Sequence, residues 1–255
     1  MKQKIKFLKM KYTYFLIFLI CLKLQVLATD KFVFAQIKYP GNWEPYPQVY
    51  LDVLDILTLT TSVNVEKERK VIDITSDNLK QELAKTPFVI ILGDKEVKIP
   101  TKSIKILRDY VLNGGTIFID DTSELYYSSF DTSIRIIIKT MFPEYKLKKT
   151  TIDHVLMKSF YLIRNVTGRV VLVPYLEYIE YENRPAIIYS RNNIVACWTR
   201  DRFGKYIYNC VPGGEQQRFN SQKLFLNIIM YSLCGTYKMD KVHQPFIEQK
   251  LRYKK

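Results

Sequence analysis

Six side chains in this sequence have the types and neighbours to do chemistry: Asp94, Asp120, Asp121, His154, Arg200 and Asp201. Asp120 and Asp121 end the run TIFIDD, and Asp94 ends FVIILGD. Carboxylates that converge on one crevice can bind a cation through hard oxygens or divide acid and base roles. They can equally cap loops through backbone N–H groups, and adjacent strand residues point to opposite faces of a sheet. His154 follows Asp153, a pair suited to orienting an imidazole as a general base or to a purely structural role. Arg200 and Asp201 follow Trp198 and Thr199. The Arg200 guanidinium can grip a ligand carboxylate or phosphate in bidentate fashion, or pair internally with Asp120 or Asp121. The candidate catalytic residues are therefore Asp94, Asp120, Asp121 and His154. The candidate ligand-binding residues are Asn42, Trp43, Asp121, Arg200 and Asp201, with Tyr39, Tyr126 and Tyr127 as loop aromatics able to line a glycan or peptide groove. With His154 as the one His between the two ends of the chain, no His-rich metal centre is expected, and no cofactor motif follows a strand.

The elements that must position these residues read as alternating strands and helices. Segment 104–121 is the clearest. Ile104, Leu107, Val111 and Leu112 have helical spacing. Asn113-Gly114-Gly115 stops the helix and turns the chain. Thr116 to Ile119 then forms a β-branched and aromatic strand. Other expected strands are 31–38, 71–74, 88–92 and 145–149, with extended segments at 170–173 and 176–181. Helices are expected from Pro47 to about Thr60 and over 77–84, 131–141 and 219–233. Arg184 to Ser190 and Ile194 to Trp198 read as a hairpin about an Asn192-Asn193 turn. FVIIL is apolar on both faces, as a central parallel strand is. The order predicts a three-layer, doubly wound, mostly parallel α/β sheet with a late antiparallel hairpin and the first helices on opposite faces. In such sheets ligands sit beyond the carboxyl ends of the strands, where the acidic pairs fall.

The ends carry a different message. Lys2, Lys4, Lys6, Lys9 and Lys11 precede an apolar run from Tyr12 to Leu22, and Val26-Leu27-Ala28 offers a cleavage site. Residues 1–28 thus read as an export signal, or as an uncleaved anchor, and the expected location is the periplasm or another exported compartment. Residues 29–235 form one domain and 236–255 a basic tail. The formal charge is +14, yet residues 24–235 carry 27 basic against 23 acidic side chains, so the excess belongs to the ends. No nucleic-acid partner is expected from such a body. Membrane contact would be confined to an uncleaved signal or the basic tail. Beyond the signal lie Cys197, Cys210 and Cys234. An odd number in an exported chain permits one disulfide, such as Cys197–Cys210, or three buried thiols.

Five segments in order, KFVFAQIKYPGNW, TPFVIILGD, LRDYVLNGGTIFIDD, MFPEYKL with TIDHVLMKSFY, and RPAIIYSRNNIVACWTRD, resemble the exported bacterial family of domain of unknown function 4159. The resemblance spans about residues 32–235. It implies a fold similar to that of the class-I glutamine amidotransferases, or flavodoxin-like in broader terms. That family commonly carries a His after the Gly that ends the third strand, where this sequence has Asp94. The amidotransferases use a Cys at a strand-to-helix elbow with His and Glu partners. GDKEVKIP offers no Cys or Ser there, and no G-x-S-x-G elbow is present. The expected function is a non-catalytic or degenerate amidotransferase-like module of the cell envelope that binds a polar ligand, glycan or partner protein. The alternative is an envelope hydrolase working on a glycan or peptide through Asp and His side chains.

Overall fold

The computed structural model describes the backbone of residues 31–238 and the side chains through Leu233. The signal segment, most of the basic tail and the Cys234 side chain lie outside that description. Seven strands form one sheet: β1 (Ala35–Lys38), β2 (Lys70–Asp73), β3 (Phe88–Gly93), β4 (Thr116–Asp121), β5 (Lys148–Lys149), β6 (Glu177–Tyr181) and β7 (Arg184–Ser190). Their spatial order is β2-β1-β3-β4-β7-β6-β5. The first five in that order run parallel, and β6 and β5 add an antiparallel edge. The parallel strands are apolar on both faces because helices cover both. Phe34, Phe88, Ile90, Leu92 and Phe118 point to one face. They pack there with α1 (Val49–Thr60) and α5 (Gly214–Lys238). Ile37, Val89, Ile91, Ile117 and Ile119 point to the other face. They pack there with α2 (Leu79–Leu83), α3 (Thr101–Leu112) and α4 (Ser129–Met141). The first two helices thus lie on opposite faces, as right-handed crossovers require.

The segment 104–121 folds as its pattern predicts, with the helix beginning earlier, at Thr101, and the strand running on to Asp121. Gly114 has φ +99°, which a side chain would strain, and the Gly114 and Gly115 amides donate back to Val111 and Tyr110 carbonyls. Arg184, from the next strand over, closes this turn. Its guanidinium donates to the carbonyls of Val111 at 2.8 Å and Gly115 at 3.0 Å and to Thr116 Oγ1 at 3.1 Å. A buried cation at a helix C-terminus also meets the negative end of the helix dipole. Arg184→Met should therefore destabilise the fold by about 3 kcal/mol, since it removes the donor to the buried Gly115 carbonyl and Thr116 hydroxyl and the charged bond to Val111. A shift of the urea midpoint at unchanged m value would measure it.

The sheet's antiparallel edge differs from expectation. The hairpin joins β6 to β7 through Glu182-Asn183, both with positive φ, the pair of left-handed residues a tight two-residue turn needs. Asn192-Asn193 is not its turn, and Val195–Trp198 is a 3-10 helix rather than a strand. The buried run IVACW fits either geometry. The decision falls to the carboxylate of Asp120, described below. Residues 170–173 form no strand, and 145–149 contributes only Lys148–Lys149. Residues 236–238 belong to α5, so that helix begins earlier and ends later than its apolar spacing suggests.

Candidate functional site

The parallel order reverses between β1 and β3, so a ligand crevice would open beyond their carboxyl ends. Here that place is filled from within. The Tyr39 hydroxyl donates to the Leu92 carbonyl at 2.8 Å and lies 3.1 Å from the Asn42 carbonyl. Burial, with Asp94 and Asp121 nearby, pushes the phenol well above its ordinary range. Asn42 Nδ2 donates to Asp94 Oδ1 at 2.9 Å and ties the two rims together. Two predicted site residues, Asn42 and Asp94, thus meet one another. Trp43 is engaged elsewhere: its carbonyl accepts from the buried Gln36 and its ring lies 5.7 Å from the Arg69 guanidinium. Between Gly93 and α3 run the seven residues Asp94–Pro100, so the strand does not pass directly into a helix as a nucleophile elbow would.

The adjacent acids at the end of β4 part company because strand side chains alternate. Asp121 faces the α4 side. Its oxygens accept from the Ser123 amide at 2.9 Å and the Ser128 hydroxyl at 2.7 Å. Ser128 in turn caps α4 by accepting from the Asp131 amide. Burial raises the Asp121 pKa, and the two serines oppose that rise. Asp120 faces the α5 side and is fully buried. Its Oδ2 accepts from the Val195 amide at 2.8 Å, which fixes the start of the 3-10 helix Val195–Trp198. Among the described residues, its Oδ1 has no hydrogen-bond partner within the distance and angle limits of a true bond. Burial pushes its pKa up to about 7, against the pull of the Val195 amide, the Ser190 hydroxyl and the Ile194 amide.

Around Asp120 the loops after β1, β4, β5 and β7 build a polar cluster. Asn193 Nδ2 donates to Glu124 Oε1 at 2.7 Å and lies 2.8 Å from the Tyr46 hydroxyl. Arg169 pairs with Glu124, and its guanidinium lies 5.5 Å from the Tyr208 ring. Tyr208 meets Tyr46 edge-on. Glu124 and Asn193 both hold the left-handed backbone conformation, with φ 59° and 53°. Such strain persists only where surrounding structure over-determines it, and it gathers at functional loops. Beside the cluster, the rim exposes Leu125, Tyr126 and Tyr127, the last 88% accessible. Arg191 anchors this loop through the Tyr126 carbonyl and packs against its ring. Arg191 in turn reaches Asp131, which also accepts from Tyr189 and Arg135.

The other predicted residues lie apart. His154 Nδ1 accepts from the Leu156 amide at 3.3 Å, capping a short 3-10 turn. Its ring lies 4.5 Å from that of Tyr178 on β6, and burial lowers its pKa. β6 is two strands from β4, roughly 10 Å across the sheet. Arg200 does not pair with Asp120 or Asp121. It donates to the Tyr206 hydroxyl at 2.8 Å and lies 3.8 Å from Asp52 on α1. The backbone bridge between Arg200 and Tyr206 folds the 200–206 loop over α1 instead of the crevice. Asp201 Oδ1 accepts from the Phe203 and Lys205 amides and shapes that loop. Among the described residues, no three His, Cys, Asp or Glu side chains are grouped to hold a metal ion, and no helix is long and apolar enough to cross a membrane.

A family model described as a domain of unknown function, DUF4159, matches residues 33–233. The chain belongs to the DUF4159 family. The match runs from just before β1 into α5 and so takes in every strand of the sheet and all the residues described above. Comparison with curated proteins gives no match. Sequence reasoning missed Tyr46, Glu124, Arg169, Arg191 and Asn193. The Asn192-Asn193 pair was a signal, since Asn tolerates the left-handed region. Glu124 and Arg169 gave none.

Proposed function

We propose that this DUF4159 chain is a non-catalytic module of the bacterial cell envelope, of degenerate amidotransferase-like fold, that binds a polar glycan or peptide on the rim formed by the loops after β4 and β7. The parallel order, counted among those five strands as 2-1-3-4-5, agrees with a flavodoxin-like arrangement of the kind that fold shares. The observation that carries the reading is the commitment of the acids: Asp120, Asp121 and Asp94 each hold a neighbouring loop through a hydrogen bond. An acid that fixes a loop and is closed off from solvent, as Asp120 is, supports a binding surface rather than turnover. Exposed Tyr126 and Tyr127, beside the strained Glu124 and Asn193, supply flat faces for sugar rings or peptide side chains.

Titration calorimetry with soluble oligosaccharides and with short peptides separates the two ligand classes. Tyr127→Ala should weaken binding of the recognised class about tenfold with unchanged stability, because its side chain is exposed. The purified chain should leave amide, ester and glycoside model substrates intact. Turnover that disappears in Asp120→Ala or His154→Ala would replace this reading with the hydrolase one.

A further inference from the structure

Cys197 lies within the 3-10 helix Val195–Trp198 that begins at Asp120's hydrogen bond, and Cys210 lies in the loop that leads into α5. Both are buried, both are thiols, and their Sγ atoms are 3.5 Å apart. A disulfide requires about 2.05 Å, so the sulfurs need approach by only about 1.5 Å. The two backbone segments that carry them are already held together by α5. Arg218 donates to the Cys197 carbonyl at 3.4 Å and to the Tyr208 carbonyl at 2.5 Å. Gln222 donates to the Cys197 carbonyl at 3.0 Å, and Gln217 to the Val211 carbonyl at 2.9 Å. Both ends of the loop to be closed are thus tied to one helix.

We infer that Cys197 and Cys210 are a built site of covalent modification, joined as an intramolecular disulfide by thiol–disulfide exchange with an external disulfide, either a small-molecule one or that of a dithiol oxidoreductase. The attacking sulfur is Cys210. Donation from the Cys197 thiol, with Arg218 and Arg169 nearby, draws its pKa down, while the same contact and burial raise that of Cys197. The Cys210 thiolate attacks one sulfur of the external disulfide and releases the other as a thiolate. The Cys197 sulfur gives up its proton and displaces the external sulfur from the mixed disulfide. Two protons and two electrons leave the protein, and the external disulfide becomes two thiols. The bond would fix the loop beside Asp120 to the start of α5 independently of any ligand.

The test uses the full chain, equilibrated from reduced and oxidised starting states in glutathione buffers, then acid-quenched, alkylated and peptide-mapped. The expected oxidised product lacks two hydrogens, contains a linked Cys197–Cys210 peptide and leaves Cys21 and Cys234 alkylated. Its Tm should exceed that of the reduced chain by roughly 6 to 12 °C, the gain for closing a loop of this length. Cys197→Ser and Cys210→Ser should each abolish both the linked peptide and the oxidant-dependent Tm gain. Full alkylation of both cysteines in oxidised glutathione, a linked peptide joining either of them to Cys21 or Cys234, or an oxidised form no more stable than the reduced one would overturn the assignment.

Discussion

The stability of Asp120→Asn should rise relative to the unsubstituted chain as the pH increases from about 4 to about 8. In the folded chain Asp120 holds its proton up to about pH 7, whereas in the unfolded chain it loses it near the ordinary carboxylate value of 3.8. Between those values the native state binds the extra proton. Its contribution to stability is therefore complete below the unfolded pKa and is lost as pH rises through the folded one. At 1.36 kcal/mol per pKa unit, the loss is on the order of 4 kcal/mol. Protonation at Oδ1 breaks no hydrogen bond among the described residues, and Oδ2 keeps the Val195 amide. Asn preserves the acceptor for Val195 and cannot ionise. Asp121 and Asp52, whose pKa values are also raised, tilt the curve in the same direction, and His154 tilts it the other way. The difference between the two chains cancels these terms. Urea midpoints measured from pH 4 to 8 would show it, and a flat difference would mean that Asp120 is ionised throughout.

Gly168→Ala should cost about 3 to 5 kcal/mol, among the largest effects of any single methyl in this chain. A Cβ at Gly168 would stand 1.9 Å from the Asn192 carbonyl oxygen and 2.5 Å from its carbon. These are backbone atoms, which cannot swing aside as a long side chain would. Asn192 is itself pinned: its Oδ1 accepts from the Leu172 and Val173 amides and its Nδ2 donates to the Val173 carbonyl. The Arg169 amide donates to the Asn193 carbonyl at 3.0 Å, so the displaced strand of the loop carries Asn193 with it. The substitution should thus also break the Glu124–Asn193–Tyr46 cluster. In a double-mutant cycle, Asn193→Ala should cost much less in the Gly168→Ala background than alone. Additive costs would show that the loop yields elsewhere.

Much of this fold is legible in the sequence, and the reasons are local. FVIIL is apolar on both faces, Ile117–Ile119 continues that pattern in the next strand, and NGG supplies a backbone able to turn sharply between α3 and β4. The alternation of strand side chains already warned that Asp120 and Asp121 serve different faces, and they do. What was not legible depends on partners distant in the chain. Asp120, far away in sequence, organises Val195–Trp198 as a 3-10 helix, although IVACW alone suits a strand. Arg200 has carboxylates on several loops to choose from, and its neighbours Tyr206 and Asp52 prevail because the 200–206 loop folds over α1. Glu124 carries no sign of its left-handed backbone, since nothing in TSELYY requires it. The hairpin was displaced by one element because Asn-Asn and Glu-Asn are both adequate turn pairs, and only the pairing of β6 with β7 decides between them.

We propose that the rim after β4 and β7 is a binding surface held in place by structural acids. Backbone chemical-shift mapping of the full chain during titration with the oligosaccharide or peptide that binds most tightly tests it most directly. The account requires shifts concentrated at Glu124 to Tyr127 and Arg191 to Asn193, with the added ligand recovered unchanged. Shifts confined to the opposite rim, around Lys80 to Pro87 and Asn113 to Gly115, or conversion of the ligand to product, would contradict it.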